Sequence, residues 1–427
     1  MPNPLKDSRS VLLAVVLIIA NQSISAAEQE SSQHSDESPG YTVTAYYWPD
    51  YHVDPRNEKW CGPGWTEWQL IKAAKPRFEG HNQPRVPLWG HEDESDPKVM
   101  AKKIETAAKY GVDVLIFDWY YYNDGSFLRA ALDRGFLGAS NNRKVKFALM
   151  WANHDLPDVF PTRFHQSHPN WTVLMPGDVT RKTFDEMVDD IIAKYFKHPS
   201  YWLVDGCPYF SIYDLNALAK GLGGLEPVKE ALQDFKDKTK AAGFPDLHLN
   251  IVLKGNRVIP RNNSFVLSTG TEPKQASGQN QLALDLGFDS LGSYTWAHHV
   301  SFPDFPETQY TYVRGKAVEH WHKTVEEFQL PYYANVTCGW DSTSRTCQTD
   351  VYVNKGYPFG PTLSGNTPKE FKNSLMKMKH FLDTDGNKQK IFSINSWNEW
   401  SEGSYLEPDT KNGFGYLEAI KEVFGTR

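Results

Sequence analysis

The chain has few of the features that identify common enzyme classes. Its 427 residues contain four cysteines, none in a C-x-x-C pair, and no H-E-x-x-H, which argues against redox and zinc sites. No G-x-S-x-G elbow presents a nucleophilic serine. No G-x-G-x-x-G follows the first predicted strand, and no Gly-rich loop suited to phosphate is evident. We therefore expect no metal and no cofactor.

Excess positive charge and long apolar segments are also scarce. The formal net charge is −7 and no basic tract occurs, which argues against a nucleic-acid partner. The one long apolar run, Val11 to Ala20, is about half of the roughly 20 residues that span a bilayer. It follows Lys6 and Arg9 and precedes the small residues 25–27, the pattern of a signal peptide.

This pattern predicts three segments: a signal peptide at 1–27, a flexible linker at 28–40 and a catalytic domain at 41–427. Since no later segment is long and apolar enough to span a membrane, we expect no stable membrane insertion after cleavage. The mature protein is then expected to be secreted or periplasmic.

Eight short apolar runs of strand type alternate with helical patterns. Most are continuously apolar, as in parallel strands buried on both faces. The clearest helix covers 96–110, with Asp96 as its cap, Pro97 at its first position and Gly111 at its stop. The order predicts an α/β fold, a single (β/α)8 TIM barrel with extended βα loops. A doubly wound open sheet is the alternative. The runs are 43–47, 112–117, 145–150, 209–213, 247–252, 291–294, 332–336 and 391–394.

Polar and aromatic residues follow these runs, where a barrel carries its chemistry. Each has a plainer interpretation as a helix cap, a core residue or a loop residue. Their recurrence favours a saccharide cleft, since sugar rings stack on indole faces. The candidates at these ends are Trp48, His52, Asp118, Trp119, Tyr120, Trp151, Asn153, His154, Lys254, Trp296, Trp340, Asp341 and Asn398.

The last run leads into Ser-Trp-Asn-Glu-Trp-Ser-Glu-Gly at 396–403. Glu399 and Glu402 lie three residues apart. Glu399 stands between the two tryptophans of this segment, and Glu402 follows the second. One carboxyl of such a pair can stay protonated while the other is ionised, which suits acid/base chemistry on a sugar. The spacing alone is weak, because two solvated loop carboxylates would give the same pattern.

Several segments resemble the glycoside hydrolase family 99-like proteins, related to endo-α-mannosidases and endo-α-mannanases. The resemblance covers most of 41–425 and adds Tyr47, Trp68 and Trp397 to the expected substrate-binding residues. Tyr294, the last residue of the sixth apolar run, is also expected to bind substrate. The matching segments are Ala-Tyr-Tyr-Trp-Pro at 45–49, Gly-Trp-Thr-Glu-Trp at 64–68, Gly-His-Asn-Gln-Pro at 80–84, Trp-Ala-Asn at 151–153, Gly-Trp-Asp at 339–341 and Trp-Asn-Glu-Trp-Ser-Glu-Gly at 397–403.

The resemblance implies a (β/α)8 barrel in which Glu399 is the general base and Glu402 the general acid. It also implies retention of configuration through a 1,2-anhydro sugar. Two positions depart from the family: Ser401 stands where the mannosidases usually have His, and His154 where close relatives often have Glu.

The sequence therefore predicts an exported, endo-acting, retaining glycoside hydrolase for an α-mannan-like polysaccharide or oligosaccharide. Two alternatives stay open: a glycosyltransferase-like protein of surface polysaccharide assembly and a non-catalytic saccharide-binding protein. Export permits disulfides, and the short loop between Cys338 and Cys347 makes these two the expected pair.

Overall fold

Eight parallel strands form a closed barrel. In the computed structural model, which describes residues 40–157, 160–166, 172–259 and 276–425, β1 pairs with both β2 and β8. One segment of β7 pairs with β6 and the other with β8, which closes the circle. The predicted (β/α)8 barrel is confirmed and the open sheet is wrong. The strands are β1 Thr42–Tyr47, β2 Val114–Tyr122, β3 Lys146–Trp151, β4 Cys207–Ile212, β5 His248–Val252, β6 Ser290–Gly292, β7 Tyr332–Tyr333 with Asn335–Thr337, and β8 Ile391–Asn395.

Helices alternate with these strands. The expected helix at 96–110 forms as α3: the Asp96 carboxylate accepts from the Lys98 amide, and Gly111 ends the helix at φ +84°. After β2 the connection holds a π-helical segment, Ala131–Phe136, instead of an α-helix. The helices are α1 Pro55–Cys61, α2 Trp68–Ala73, α3 Pro97–Tyr110, α4 Arg181–Ile191, α5 Leu215–Leu222, α6 Leu225–Ala241, α7 Ala276–Asp285, α8 Tyr310–Glu327, α9 Pro368–Thr384 and α10 Gly415–Phe424.

Side chains along each strand alternate between two hydrophobic regions. Ile116 and Met150 point into the barrel interior. Phe117 and Leu149 point outward into the layer between strands and helices, where they join Met100 of α3. This period of two decides which residues near the strand ends can reach the barrel mouth.

The loops that follow β1, β7 and β8 build the mouth of the barrel. The first contains α1 and α2, the second a 3-10 turn at Ser342–Arg345, and the third another 3-10 turn at Trp400–Glu402. The turns of the second and third loops pack on each other, and α2 packs on both. The long insert after β1 is therefore part of the mouth.

The predicted signal peptide and nearly all of the predicted linker lie outside the described residues. From Tyr41 onward the chain forms one unit. Within the described ranges, no helix combines the length and apolarity that crossing a bilayer requires.

Candidate active site

Glu399 and Glu402 are both buried just beyond the carboxyl end of β8, with exposed fractions of 2% and 6%. Glu399 lies in a short strand that pairs with Ser404–Tyr405, and Glu402 lies in the following 3-10 turn. Gly403 ends this turn at φ +63°, where a Cβ atom would lie 2.8 Å from the Cβ of Asp341. The turn therefore requires glycine in order to present both carboxyls to the barrel axis.

Arg345, on the loop after β7, binds three carboxylates at once. Its Nη1 lies 2.5 Å from Glu402 Oε1, and its Nη2 lies 3.1 Å from Glu67 Oε1 and 3.5 Å from Glu399 Oε1. Nη1 also donates to the Tyr357 hydroxyl at 2.6 Å. One buried guanidinium thus faces more negative charge than it can neutralise.

The Tyr294 hydroxyl bridges two carboxyl groups. It lies 2.7 Å from Asp118 Oδ2 and 2.8 Å from Glu399 Oε2. A phenol has one proton to donate, so the second short contact requires a proton on one of the two carboxyls. The geometry therefore indicates a shared proton between Asp118 and Glu399.

The pKa shifts agree with this proton count. Burial raises the pKa of Asp118 and of Glu399 well above their ordinary values, and the charge of Glu402 adds to the effect at Glu399. Burial also raises the pKa of Glu402, but the close Arg345 opposes it. Arg345 thus favours ionised Glu402, while the charge of Asp118, linked to Glu399 through Tyr294, favours a proton near Glu399. This order is the reverse of the base and acid roles that the family resemblance implies.

A second wall of the site carries positive charge and aromatic rings. Lys254 Nζ lies 3.2 Å from the centre of the Tyr213 ring and 3.4 Å from His298 Nδ1. The Tyr213 hydroxyl lies 3.3 Å from His298 Nε2, and the His154 ring lies 5.4 Å from the Tyr213 ring. Burial lowers the pKa of Lys254 to about 7. The mouth is therefore polarised, with carboxylates on one side and this lysine on the other.

Eight predicted residues come together at this mouth. Trp48 donates its indole N–H to Glu67, faces Arg345 at 5.1 Å and meets Tyr120 edge-on at 6.0 Å. Trp48 is half-buried, so part of its ring is available for stacking. The eight residues are Trp48, Asp118, Tyr120, His154, Lys254, Tyr294, Glu399 and Glu402.

The prediction that Trp119 and Trp151 stack on sugars is wrong. Their exposed fractions are 2% and 0%, and both rings pack in the outer layer between strands and helices. On β2 the inward positions are Asp118 and Tyr120, so the intervening tryptophan must point outward. Three other predicted binding residues, Tyr47, Trp296 and Trp397, are fully buried in the same layer.

The tryptophans of the 397–403 motif position the acid pair. Trp397 and Trp400 donate their indole N–H groups to the two oxygens of Glu407, at 3.0 and 2.8 Å. Asn398, predicted to bind substrate, instead holds the backbone of Trp48 through both atoms of its amide. These contacts fix the motif from behind, so that its two glutamates face the barrel axis.

Five further predicted residues serve the scaffold or the rim. Asp341 accepts from Gln83 and Arg85 at 2.8 and 3.0 Å and lies 3.0 Å from His81; against the effect of burial, these partners hold the pKa of its carboxyl below its usual range. Asn153 is buried and pairs with the backbone of Asp214. His52 and Trp68 are buried, whereas Trp340 is partly exposed beside Tyr357.

The predicted disulfide is wrong, because Cys338 and Cys347 are both free thiols. The Cys338 amide donates to Asn395 of β8 at 2.8 Å, whereas the Cys347 amide donates to Thr162, also at 2.8 Å. The 3-10 turn between them carries Cys347 away from the barrel wall. The two cysteines are thus anchored to different parts of the fold.

The predicted set of site residues left out Arg345, Glu67, Tyr357, Tyr213 and His298, although His298 follows the sixth predicted strand. Glu67 lies inside a segment that carries the family resemblance, and Tyr213 ends a predicted strand run, so both had a usable signal. Arg345 and Tyr357 lie in a polar loop with no pattern that indicates burial. Among the described residues, no group of three or more His, Cys, Asp or Glu is placed to hold a metal ion.

Comparison with solved structures supports the fold. The GH99 endo-α-mannosidase from Bacteroides thetaiotaomicron superposes with a TM-score of 0.53 at 13% identity, over 89% of this chain and 95% of that one. A structure described as a glycoside hydrolase-like protein gives a TM-score of 0.54 at 15% identity, over 92% of this chain and 96% of that one. At these identities the likeness shows a common barrel and leaves the reaction open.

Sequence comparison is more specific. The uncharacterized protein WxcX from two strains of Xanthomonas campestris pv. campestris, B100 and ATCC 33913, is 26% identical over 390 residues, or 90% of this chain. The chain spans about half the length of these relatives, since the match covers 49% of them. Residues 43–420 match the family described as "Glycosyltransferase WbsX", so this chain belongs to that family.

Proposed function

We propose that the protein cleaves a glycosidic bond in a polysaccharide or oligosaccharide, with Glu399 and Glu402 as its catalytic pair. The observation that carries this proposal is the burial of both carboxyls at the end of β8, joined by Arg345. Burial raises the pKa of both Glu399 and Glu402, which favours the protonated form of a carboxyl in this site. Such a site can supply one protonated and one ionised carboxyl, as glycoside cleavage requires.

The roles follow from the family resemblance: Glu402 protonates the leaving oxygen and Glu399 acts as base. In the structure, however, the Tyr294 hydroxyl links Glu399 to Asp118, and this arrangement favours a proton on the Glu399 side of the pair. Substrate binding therefore has to move a proton from the Glu399 side to Glu402. Tyr294 contacts Glu399, so it lies at the start of this path. A sugar hydroxyl placed beside Glu399 would favour its ionised form by hydrogen bonding.

The proposed substrate, mode of cleavage and location rest on the similarity in fold to a solved structure and on the N-terminal sequence. The endo-α-mannosidase fold likeness favours an α-mannan-like substrate, endo action and retention. The N-terminal pattern of charged, apolar and small residues favours export, to a secreted or periplasmic location.

Glycosyl transfer is a second candidate, favoured by the description of the family. The same carboxyl pair would protonate the leaving oxygen and activate a sugar hydroxyl in place of water. The two reactions differ only in the acceptor, so product analysis separates them.

The test incubates purified protein with α-mannans and a panel of other polysaccharides, with and without acceptor oligosaccharides, in H₂¹⁸O. Hydrolysis releases reducing ends that carry ¹⁸O, whereas transfer lengthens the acceptor without the label. Glu399→Gln and Glu402→Gln should each lower turnover by roughly 10²–10⁴-fold and keep glycan binding. Glu418→Gln, at an exposed position on α10, is the matched control. Turnover of both variants at the wild-type rate would refute the assignment.

A further inference from the structure

Lys254 is a half-buried cation that makes no ion pair with a carboxylate of the described residues. Its Nζ contacts the Tyr213 ring and His298 Nδ1. Asp214, Asp118 and Glu402 act on it only over longer distances. Most other buried cations of this protein are paired: Lys103, for example, lies 2.5 Å from Glu94 and 2.6 Å from Glu407. Burial lowers the pKa of Lys254 to about 7, and an anionic ligand beside Nζ would favour the charged form by supplying the counter-charge.

The space beside Lys254 is suited to such a ligand. A cavity of about 790 Å³ opens on Lys254 and His298. Two lysines of its lining are paired locally, Lys316 with Glu319 at 2.8 Å and Lys323 with Glu327 at 3.7 Å. Lys254 is a further positive side chain of the lining, and it has no carboxylate partner among the described residues.

The histidines of the cavity add hydrogen-bonding groups. Burial lowers the pKa of His298, His299 and His320, so these rings are neutral near pH 7. A neutral imidazole can donate one N–H to an oxygen anion. His298 Nδ1 faces Lys254 and its Nε2 faces the Tyr213 hydroxyl, so a ligand beside the lysine would bind His298 by replacing one of these two partners.

We propose that Lys254 and His298 bind an anionic substituent of the saccharide, so that the protein selects acidic glycans. The shared chemistry is an oxygen anion on a sugar ring, either a uronate carboxylate or a sulfate or phosphate ester. The identity of the site as a saccharide site rests on the proposed function above.

The polarised mouth also sets the orientation of the ligand. The carboxylates Glu67, Glu399 and Glu402 surround Arg345 on one wall and repel an anion. Lys254 attracts it on the other wall. The charged ring of the substrate is therefore held away from the acid pair, which leaves the scissile bond of a neighbouring ring beside Glu399 and Glu402.

The test measures binding separately from turnover. A glycan array with neutral, uronate-bearing, sulfated and phosphorylated oligosaccharides first identifies the strongest acidic class and so separates the sources of the anion. Calorimetry then compares that glycan with its carboxyl-reduced or ester-free counterpart, a matched neutral probe. We expect the wild-type protein to bind the acidic form roughly 30-fold or more tightly, as for a buried charge pair.

Two variants assign the effect to Lys254. Lys254→Met should abolish the preference for the acidic form. Lys316→Met removes the same charge from the same cavity, but from a lysine already paired with Glu319, and should keep the preference. Thermal unfolding checks that each variant is folded. The comparison of acidic and neutral glycans on the wild-type protein tests the inference even if a variant fails to fold.

Equal wild-type affinity for the acidic and neutral forms would overturn the inference, as would a preference that survives in Lys254→Met. Cleavage of glycans by a wild-type protein that shows no preference for the acidic form would refute this inference and leave the proposed function in place. Selective acidic binding that depends on Lys254, without any product, would refute the proposed function and leave this inference in place.

Discussion

Replacing Arg345 by methionine is expected to destabilise the protein in a manner that depends strongly on pH. Arg345 is buried and lies within 2.5 to 3.5 Å of Glu402, Glu67 and Glu399. Its removal leaves three buried carboxylates without their counter-charge, and breaking a buried ion pair in this way costs about 3–5 kcal/mol. This is a large part of a typical unfolding free energy of about 5–15 kcal/mol.

The sign of the pH dependence follows from proton binding. The carboxyls of Glu399 and Glu402 have folded-state pKa values above those of the unfolded chain, and losing Arg345 raises them further. The folded variant then binds protons that the unfolded chain has released above about pH 4.3. The stability lost with Arg345 should therefore be small near pH 4 to 5 and grow as the pH rises to 8.

Urea unfolding at pH 5, 6.5 and 8 measures this difference, with Arg314→Met as the matched control. Arg314 pairs with Glu370 at 2.6 Å outside the site, where both side chains are partly exposed. The control should lose at most about 1 kcal/mol, with little change across this range. Equal losses for Arg345→Met at pH 5 and pH 8, or a loss no larger than the control, would refute the reasoning.

Two further outcomes follow from the positions of the aromatic and cysteine residues. Trp151→Ala should lower the free energy of unfolding by about 3–5 kcal/mol without weakening glycan binding by the folded protein, whereas Trp48→Ala should weaken glycan binding, as titration calorimetry beside urea unfolding can show. Thiol titration of the denatured, unreduced protein should count all four cysteines, because Cys338 and Cys347 are free; a count of two would restore the predicted disulfide.

The barrel was predictable because the same sequence pattern, a short apolar run, occurs eight times. Each of the eight strands is a short apolar run, and small errors at individual ends do not change the count. The acid pair was predictable for a related reason, since Glu399 and Glu402 directly follow the last strand, and parallel strands of a barrel present their carboxyl ends to one mouth.

The direction of each side chain was harder to predict. Residues 114–122 are Val-Leu-Ile-Phe-Asp-Trp-Tyr-Tyr-Tyr, with large side chains on both faces, so composition does not show which face lies inside. Barrel closure sets that register, and it places Asp118 inward and Trp119 outward. A position near a strand end therefore predicts a residue of the mouth only when its side chain also points inward.

Arg345 was missed for a different reason. An arginine in a Thr- and Ser-rich loop is ordinarily solvated, and nothing local indicates otherwise. Its burial arises from three loops that lie far apart in sequence, and Glu67 alone is 278 residues away. The residues next to Arg345 in the sequence therefore cannot predict that these loops meet.

This convergence has a consequence for synthesis. Glu67 leaves the ribosome 278 residues before Arg345, a delay on the order of tens of seconds at ordinary translation rates. Throughout that interval the growing chain has no guanidinium at this position to neutralise the carboxylate of its first loop. The mouth cannot be assembled until the last two strands emerge, because a chain that ends before Glu399 lacks the catalytic pair. A ribosome-stalled nascent chain should therefore gain saccharide binding in one late step, with no weaker precursor before it.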